Sequence, residues 1–287
     1  MNTEPPSISF IAIMDFSARW TFLSESVSDL LGWDASDLRN RSFYDLVHPE
    51  ELAEVQEIHN QTILEDRAAS ILYMRLKHKD AYKGYLVCAV SRTIVCDVIV
   101  GSVSFAPPGG ATLSTSSTAQ DVFVVTPAAA NFHCRRWHEA PSPSSSPNLE
   151  QPPASHSLRT ALILDRFSTN CTVTHYLNNH FIPTTASRPR PFFDFVSRDE
   201  ETLVRSWLCS IKTCGVNERG QPSNGGFGYG RFHLCAAGRD SSESISSPAP
   251  VGWRLKPYRG AGSDDFLVDA IFSAHSDGLV CILCKAI

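Results

Sequence analysis

An internal repeat limits what this chain can fold into more than any other feature. Three pairs of segments match in the same order: residues 12–17 and 161–168, residues 43–47 and 192–196, and residues 85–90 and 266–271. In the second pair, Phe-Tyr-Asp-Leu-Val matches Phe-Phe-Asp-Phe-Val at nearly the same offset from the first pair. The sequence therefore predicts two copies of one fold.

Hydrophobic patterning within the first copy predicts two strands, short helices, one longer helix and then three strands. The strands fall at about residues 9–14, 20–23, 71–77, 82–93 and 98–105, and the longer helix begins at Pro49. This order favours an α+β fold in which a five-stranded antiparallel sheet carries helices on one face. We expect the second copy to have the same layout.

Composition along the chain predicts where the two domains begin and end. The N-terminal domain spans residues 1–140, with a core at 7–106 and a C-terminal extension. Residues 141–157 are rich in Ser and Pro and predict a linker that imposes no fixed angle, so the two domains should move independently or dock only weakly. The second, more divergent domain is residues 158–287, with a disordered insertion at about 217–262.

Charge and hydropathy exclude several classes of protein. The length of 287 residues suits about two domains. The 25 basic and 30 acidic residues give a net charge of -5, so we expect no direct DNA contact. Apolar runs are far shorter than the roughly 20 residues of a membrane span, and no secretory signal is readable, which predicts a soluble nuclear or cytoplasmic protein. We expect the nine cysteines to be free thiols.

Two motifs in the first copy resemble the PAS family. Residues 19–33 read Arg-Trp-Thr-Phe-Leu-Ser-Glu-Ser-Val-Ser-Asp-Leu-Leu-Gly-Trp, and residues 42–52 read Ser-Phe-Tyr-Asp-Leu-Val-His-Pro-Glu-Glu-Leu. The second string, with its Asp-x-x-His-Pro-Glu-Glu core, is the more specific. The resemblance covers residues 7–106, and residues 159–287 resemble a divergent second PAS domain. The whole is similar to tandem PAS regions of eukaryotic transcriptional regulators, including clock proteins and fungal white-collar-type proteins.

This resemblance implies a regulatory protein–protein interaction module that works by PAS dimerisation in signalling, with transcription as the expected process. The partner would be another PAS protein or a second copy of the chain. The interaction-surface candidates are Tyr85, Leu86, Val87 and Val90, because their strand is apolar on both faces and needs cover on both. One cover is the helices; the other is a partner, the second domain or residues 122–137, and the sequence does not fix which side is outward.

A rival interpretation is a sensor that holds haem, flavin or a metabolite between the sheet and the long helix. The ligand-pocket candidates are Leu52, Val55 and His59, which share one face of that helix. A lone inward histidine is more often a core residue with a local hydrogen bond than an iron ligand, so no cofactor is predicted. The segment that would carry a flavin-reactive cysteine, residues 39–43, contains none.

No catalytic motif is present, so the sequence predicts that the chain is not an enzyme. There is no nucleophile elbow, no pair of catalytic carboxylates and no kinase string. The Cys-x-x-Cys at Cys281 and Cys284 lacks the second pair that zinc needs, so no metal site is predicted. The glycine-rich residues 225–230 lack the Lys-Ser/Thr of a phosphate-binding loop and predict a flexible turn into the next strand.

Overall fold

Two six-stranded sheets with helices packed on them form the protein, which confirms the expected α+β class. The computed structural model describes residues 8–108, 110–130, 132, 156–183, 189–212, 226–239 and 265–286. Most of the expected linker, residues 141–155, lies outside the described residues, as does much of the expected insertion. None of the described helices is both long enough and apolar enough to cross a membrane.

The first domain follows the element order that the sequence predicts. Its elements are β1 (Ser9–Asp15), β2 (Trp20–Leu23), α1 (Val27–Leu31), α2 (Ala35–Leu38), a 3-10 turn (Phe43–Leu46), α3 (Leu52–Leu64), β3 (Ser70–Lys77), β4 (Tyr85–Val95), β5 (Val98–Phe105), α4 (Gly110–Thr118) and β6 (Asp121–Val124). The sheet order is β2-β1-β5-β4-β3-β6. The sixth strand, β6, pairs in parallel with β3 and extends the expected five-stranded sheet at its edge.

A buried carboxylate fixes α3 against the sheet. Glu51, only 2% exposed, precedes the helix and accepts hydrogen bonds from the Arg75 backbone N–H at 2.7 Å and from Arg75 Nε at 2.6 Å. Because Arg75 lies on β3, this charge-assisted pair joins the start of α3 to the sheet. The helix then lies across the sheet and buries Val55, Ile58 and His59.

The second domain repeats the arrangement. Its elements are β7 (Arg159–Leu164), β8 (Thr172–Tyr176), β9 (Arg190–Pro191), a 3-10 turn (Phe192–Phe195), α5 (Glu201–Lys212), β10 (Phe227–Cys235), β11 (Asp265–His275) and β12 (Gly278–Lys285). The order β10-β11-β12-β7-β8 matches β3-β4-β5-β1-β2 strand for strand. The structure thus bears out two copies of one fold, with the short β9 added beside β8.

The expected insertion at residues 217–262 was wrong for part of its length. Residues 227–235 form β10, which pairs with β11 along its whole length, so most of the glycine-rich run lies within the strand that the expected turn was to lead into. A Cβ atom at Gly228 would clash with Ile211, and one at Gly230 with Trp207, both on α5. Glycine at these two positions leaves room for side chains of α5 that pack directly against the strand backbone.

The two sheets pack against each other through the faces opposite α3 and α5. We call these the outer faces, and the faces toward α3 or α5 the inner faces. One buried apolar cluster, here the interdomain cluster, is shared by both domains: Ile11, Ile13, Val95, Val100, Ala161, Ile163, Val280 and Ile282. The two domains thus dock on each other, a contact that the sequence of a linker cannot predict because it carries no information about the faces it connects.

The interdomain cluster is built from equivalent positions of the two copies. Ile13 on β1 pairs across the sheet with Val100 on β5. Ile163 on β7 pairs in the same way with Val280 on β12. Because the same cross-strand pair from each copy contributes to the cluster, the contact resembles the self-complementary interface of a twofold dimer.

Candidate functional site

The alternation of β4 decides which of its residues face the helices. Leu86 and Val90 lie on the inner face against the main core of the first domain. Val87 lies on the outer face, and Tyr85, at the start of the strand, contacts the His48 ring with centroids 4.5 Å apart. The four interaction-surface candidates are therefore divided between the two sides of the sheet.

Two different parts of the chain cover the outer face of the first sheet. Toward β3, Val87 belongs to a cluster that includes Tyr73, Phe132 from the C-terminal extension and Phe227 from β10. Toward β1, the interdomain cluster brings in the second domain. Of the covers that the sequence left open, the structure thus shows both the second domain and the segment after residue 106.

Polar contacts surround the interdomain cluster. Arg159, at the start of β7, donates from Nη1 to Asp66 Oδ1 at 2.7 Å and to the Ile94 carbonyl at 2.8 Å. At the opposite end, Asp277 accepts from the Ser26 hydroxyl at 2.6 Å. Arg159 and Asp66 are 10% and 19% exposed at their side chains, so this ion pair is shielded from solvent screening.

The ligand-pocket candidates lie where the sequence predicts, on the inner side of α3. Val55 is fully buried, Leu52 is half-buried and His59 is 1% exposed. His59 Nε2 lies 3.0 Å from the Phe16 carbonyl oxygen, which can only accept, so Nε2 carries the proton. Burial lowers the pKa of His59, which keeps the ring neutral and leaves Nδ1 as an acceptor. Nδ1 is buried and has no hydrogen-bond partner among the described residues.

An arginine that the sequence analysis did not single out lies in the same interior. Arg92 on β4 is 1% exposed, and none of its three guanidinium nitrogens has a hydrogen-bond partner within the described part of the chain. Burial lowers the pKa of Arg92 to about 10, so the group still carries its charge at neutral pH. Leu86, Cys88 and Val90 alternate along β4 toward the inner face, and Arg92 is the next residue in this series. The alternation therefore predicts that the side chain of Arg92 points into the core.

Trp20 completes a group of buried polar side chains, which we call the polar trio: Trp20, His59 and Arg92. The Trp20 indole is fully buried, and its Nε1–H has no acceptor among the residues described. Trp20 and Arg92 border the same spot, which is otherwise lined by the apolar Ala12, Met14, Val90, Ile99 and Val103, by Gly101, and by Ser91 and Ser102, whose hydroxyls bond to each other at 2.8 Å. The walls leave no room for a water-sized molecule.

Tyr44 links His59 to Arg92. The Tyr44 ring packs edge-on against the His59 ring, with centroids 5.8 Å apart. Burial raises the pKa of the Tyr44 hydroxyl, and the positive charge of Arg92 acts in the opposite direction. Within the polar trio, five nitrogens have no partner among the described residues: the four on Arg92 and Trp20 are donors, and His59 Nδ1 is an acceptor.

The Nε2 atom of His59 already donates to the Phe16 carbonyl oxygen, so this nitrogen is not free to bind haem iron. In the described residues no three His, Cys, Asp or Glu side chains are grouped so that they could hold a metal ion. The absence of a cofactor stays a prediction.

Comparison with solved structures gives likenesses that each cover about a third of this chain. The Cronobacter turicensis RpfR quorum-sensing receptor PAS domain in complex with BDSF is 12% identical, with a TM-score of 0.31 over 37% of this chain and 100% of that chain. The Drosophila melanogaster Cycle PAS-B with bound ethylene glycol is 17% identical, with a TM-score of 0.27 over 33% and 94%. At these scores the likenesses carry no argument about ligands or partners.

The family comparison rests on sequence. No curated protein matches the chain. The family model for the PAS fold matches residues 3–101, which contain β1 to β4, α3 and the two motifs quoted above, and reach into β5. Over the residues that this model matches, the N-terminal domain is therefore a PAS domain.

Proposed function

We propose that the chain is a regulatory signalling module whose two PAS-like domains pair with each other inside one molecule. The observation that carries this proposal is the interdomain cluster, in which equivalent cross-strand pairs of both sheets bury each other. The sequence left open whether a partner, the second domain or residues 122–137 would cover this face. In the proposed arrangement the second domain takes that place.

The contacts around the cluster support a specific docking rather than a loose encounter. Arg159 donates to the Asp66 carboxylate, the Asp66 carbonyl and the Ile94 carbonyl, so one side chain bridges the turn after α3 and strand β4 of the first domain. Removing one partner of a shielded ion pair costs about 3–5 kcal/mol, because the other charge stays buried and unpaired. A contact of this kind fixes one relative orientation of the two sheets.

The remaining parts of the proposal follow from the PAS resemblance. Signalling in transcription, similarity to clock and white-collar-type regulators, and a nuclear or cytoplasmic location are proposed on that basis. The module would act by binding and would have no catalytic activity. Since the acidic net charge of -5 offers no surface for phosphates, DNA contact would come from another protein.

Replacing Ile163 with glutamate tests the pairing. Ile163 is 5% exposed within the interdomain cluster and points away from the inner core of its own domain. Burying an unpaired carboxylate in this apolar cluster would cost free energy, so the domains should separate while each keeps its fold. We expect small-angle scattering to show a radius of gyration roughly 3–5 Å above that of the wild type.

The matched control is Gln56→Glu, which adds the same charge at an exposed position on α3. It should leave the radius of gyration unchanged. In the Ile163→Glu protein, amide hydrogen exchange should show that the sheet strands of both domains are still protected. An unchanged radius of gyration in a folded Ile163→Glu protein would contradict the intramolecular pairing.

A second candidate function, sensing of a small molecule inside the first domain, is favoured by one specific observation. The buried guanidinium of Arg92 has no hydrogen-bond partner among the described residues, whereas buried charges in proteins are normally paired.

A further inference from the structure

The second domain provides an internal comparison for the polar trio. Arg92 lies three residues before the pair Val95–Val98 that closes the β4–β5 turn, and Phe272 lies three residues before the equivalent pair His275–Gly278. Phe272 is fully buried in an apolar core. The same fold therefore fills the position of Arg92 with a phenyl ring.

The other two members of the trio also have apolar counterparts. Trp20 pairs with Met14, and Val173 pairs with the equivalent Leu164. His59 lies eight residues after Glu51, and Leu208 lies eight residues after Glu200, the acidic residue that likewise precedes its helix. Val173 and Leu208 are each 1% exposed. Packing alone thus requires no polar group at any of the three positions.

Burying the polar trio lowers the stability of the folded state, and the fold itself does not require polar groups at these positions. Effective penalties for burying an uncompensated charge reach several kcal/mol, and a buried N–H donor without a partner adds about 1–3 kcal/mol. Arg92 has three unpartnered nitrogens and Trp20 has one. All of these are donors, so what is missing is an acceptor with negative charge.

The geometry of the donors selects the type of anion. The guanidinium is a planar fork that matches the two oxygens of a carboxylate and binds them in parallel. The indole N–H of Trp20, which borders the same spot, can donate to one of these oxygens. Most neighbouring side chains, such as Met14, Val90 and Ile99, are apolar, and the hydroxyls of Ser91 and Ser102 bond to each other, so the lining favours a ligand with an apolar body.

We propose that the first domain binds a small carboxylic acid with an apolar body, whose carboxylate pairs with Arg92 and accepts from Trp20 Nε1. This rests on the second candidate function, sensing of a small molecule, and is independent of the pairing between the domains. Entry requires a shift of the surrounding side chains, since they leave no room for a water-sized molecule. Met14, with three rotatable bonds, is the most adaptable of them.

The experiment follows the tryptophan indole N–H signals of the full chain by NMR. The five tryptophans give five signals, and Trp20→Phe identifies that of Trp20. The probes are butyrate, hexanoate and benzoate, each beside its uncharged primary amide, with chloride at the same ionic strength. We expect at least one acid to shift the Trp20 signal in a saturable manner, and its amide and chloride to leave it in place.

Arg92→Met provides the second readout, because it removes the charge and keeps an unbranched apolar side chain. In that variant the affinity for the acid should fall at least tenfold, whereas Arg39→Met, at an exposed position, should bind as the wild type does. The comparison of acid and amide uses the wild-type protein, so it still tests the proposal if Arg92→Met does not fold.

Each other outcome has a defined meaning. An amide that binds as well as its acid would overturn the carboxylate proposal and leave small-molecule sensing intact. A shift of the Trp20 signal by chloride would likewise overturn the carboxylate proposal and leave small-molecule sensing intact. If none of the acids shifts the signal, and native mass spectrometry of the purified chain finds no bound acid, both the proposal and the sensing function fail.

Discussion

Arg92→Met is expected to make the ligand-free protein more stable. The guanidinium is 1% exposed and has no hydrogen-bond partner within the described residues, so the folded state carries a buried charge without compensation. Replacing buried ionic groups by apolar side chains of similar volume is neutral or stabilising by about 1–4 kcal/mol. For a chain of this size each kcal/mol raises Tm by roughly 2–4 °C.

Differential scanning calorimetry on extensively dialysed protein measures this effect, with Arg39→Met as the matched control. Arg39 is exposed, and its replacement should change the free energy of unfolding by no more than about 0.5 kcal/mol. A Tm for Arg92→Met several degrees below that of the wild type would mean that Arg92 is satisfied inside the folded protein. Such a result would also remove the reason for a ligand at this position.

Mild acid is expected to destabilise the second domain through His275. This residue is 6% exposed, and its Nε2 lies 2.8 Å from the Ser273 hydroxyl. Burial, followed by the positive charge of Arg166, lowers the pKa of His275 from 6.5 to about 3, while Asp277 acts in the opposite direction. The folded protein therefore keeps this ring neutral at pH values where the unfolded chain protonates it.

The direction of the pH effect follows from proton binding. Between pH 6.5 and about 3 the unfolded state binds one more proton at His275 than the folded state does, so stability rises with pH across this range. One pKa unit corresponds to about 1.4 kcal/mol, which gives a loss on the order of 2–3 kcal/mol when the pH falls from 6.5 to 4.5. Above pH 6.5 the residue contributes no pH dependence.

Thermal unfolding of the wild type and of His275→Gln over this range isolates the contribution. Glutamine keeps a hydrogen-bonding group near Ser273 and does not titrate in this range. The difference in Tm between the two proteins should therefore change by several degrees between pH 6.5 and pH 4.5. Parallel pH profiles would show that His275 is accessible to protons in the folded protein.

The sequence predicted the fold from local signals that the structure retains. Alternation and turn residues placed β1 to β5 and α3 within a few residues of their observed bounds, and the repeat predicted the second copy. The failure at β10 has a physical cause. Gly228 and Gly230 lower strand propensity, and their role depends on Ile211 and Trp207, whose proximity only the folded chain reveals.

The candidate site was predictable in part. The periodicity of α3 placed His59 inside the domain, as the structure shows. Arg92 was missed because arginine is normally found at the surface, although the alternation of β4 pointed to the interior. The outer face of the sheet could not be assigned, because strand parity alone does not say which side meets the helices.

The pairing of the two outer faces has a consequence for competition between partners. Residues 133–155 join the two domains covalently, so each face meets its mate at an effective concentration set by the tether, which for short flexible connections is in the millimolar range. A free PAS protein of equal intrinsic affinity, present at micromolar concentration, would be outcompeted by roughly a thousandfold. Exchange between molecules would therefore require either a much tighter partner or a signal that first weakens the internal contact.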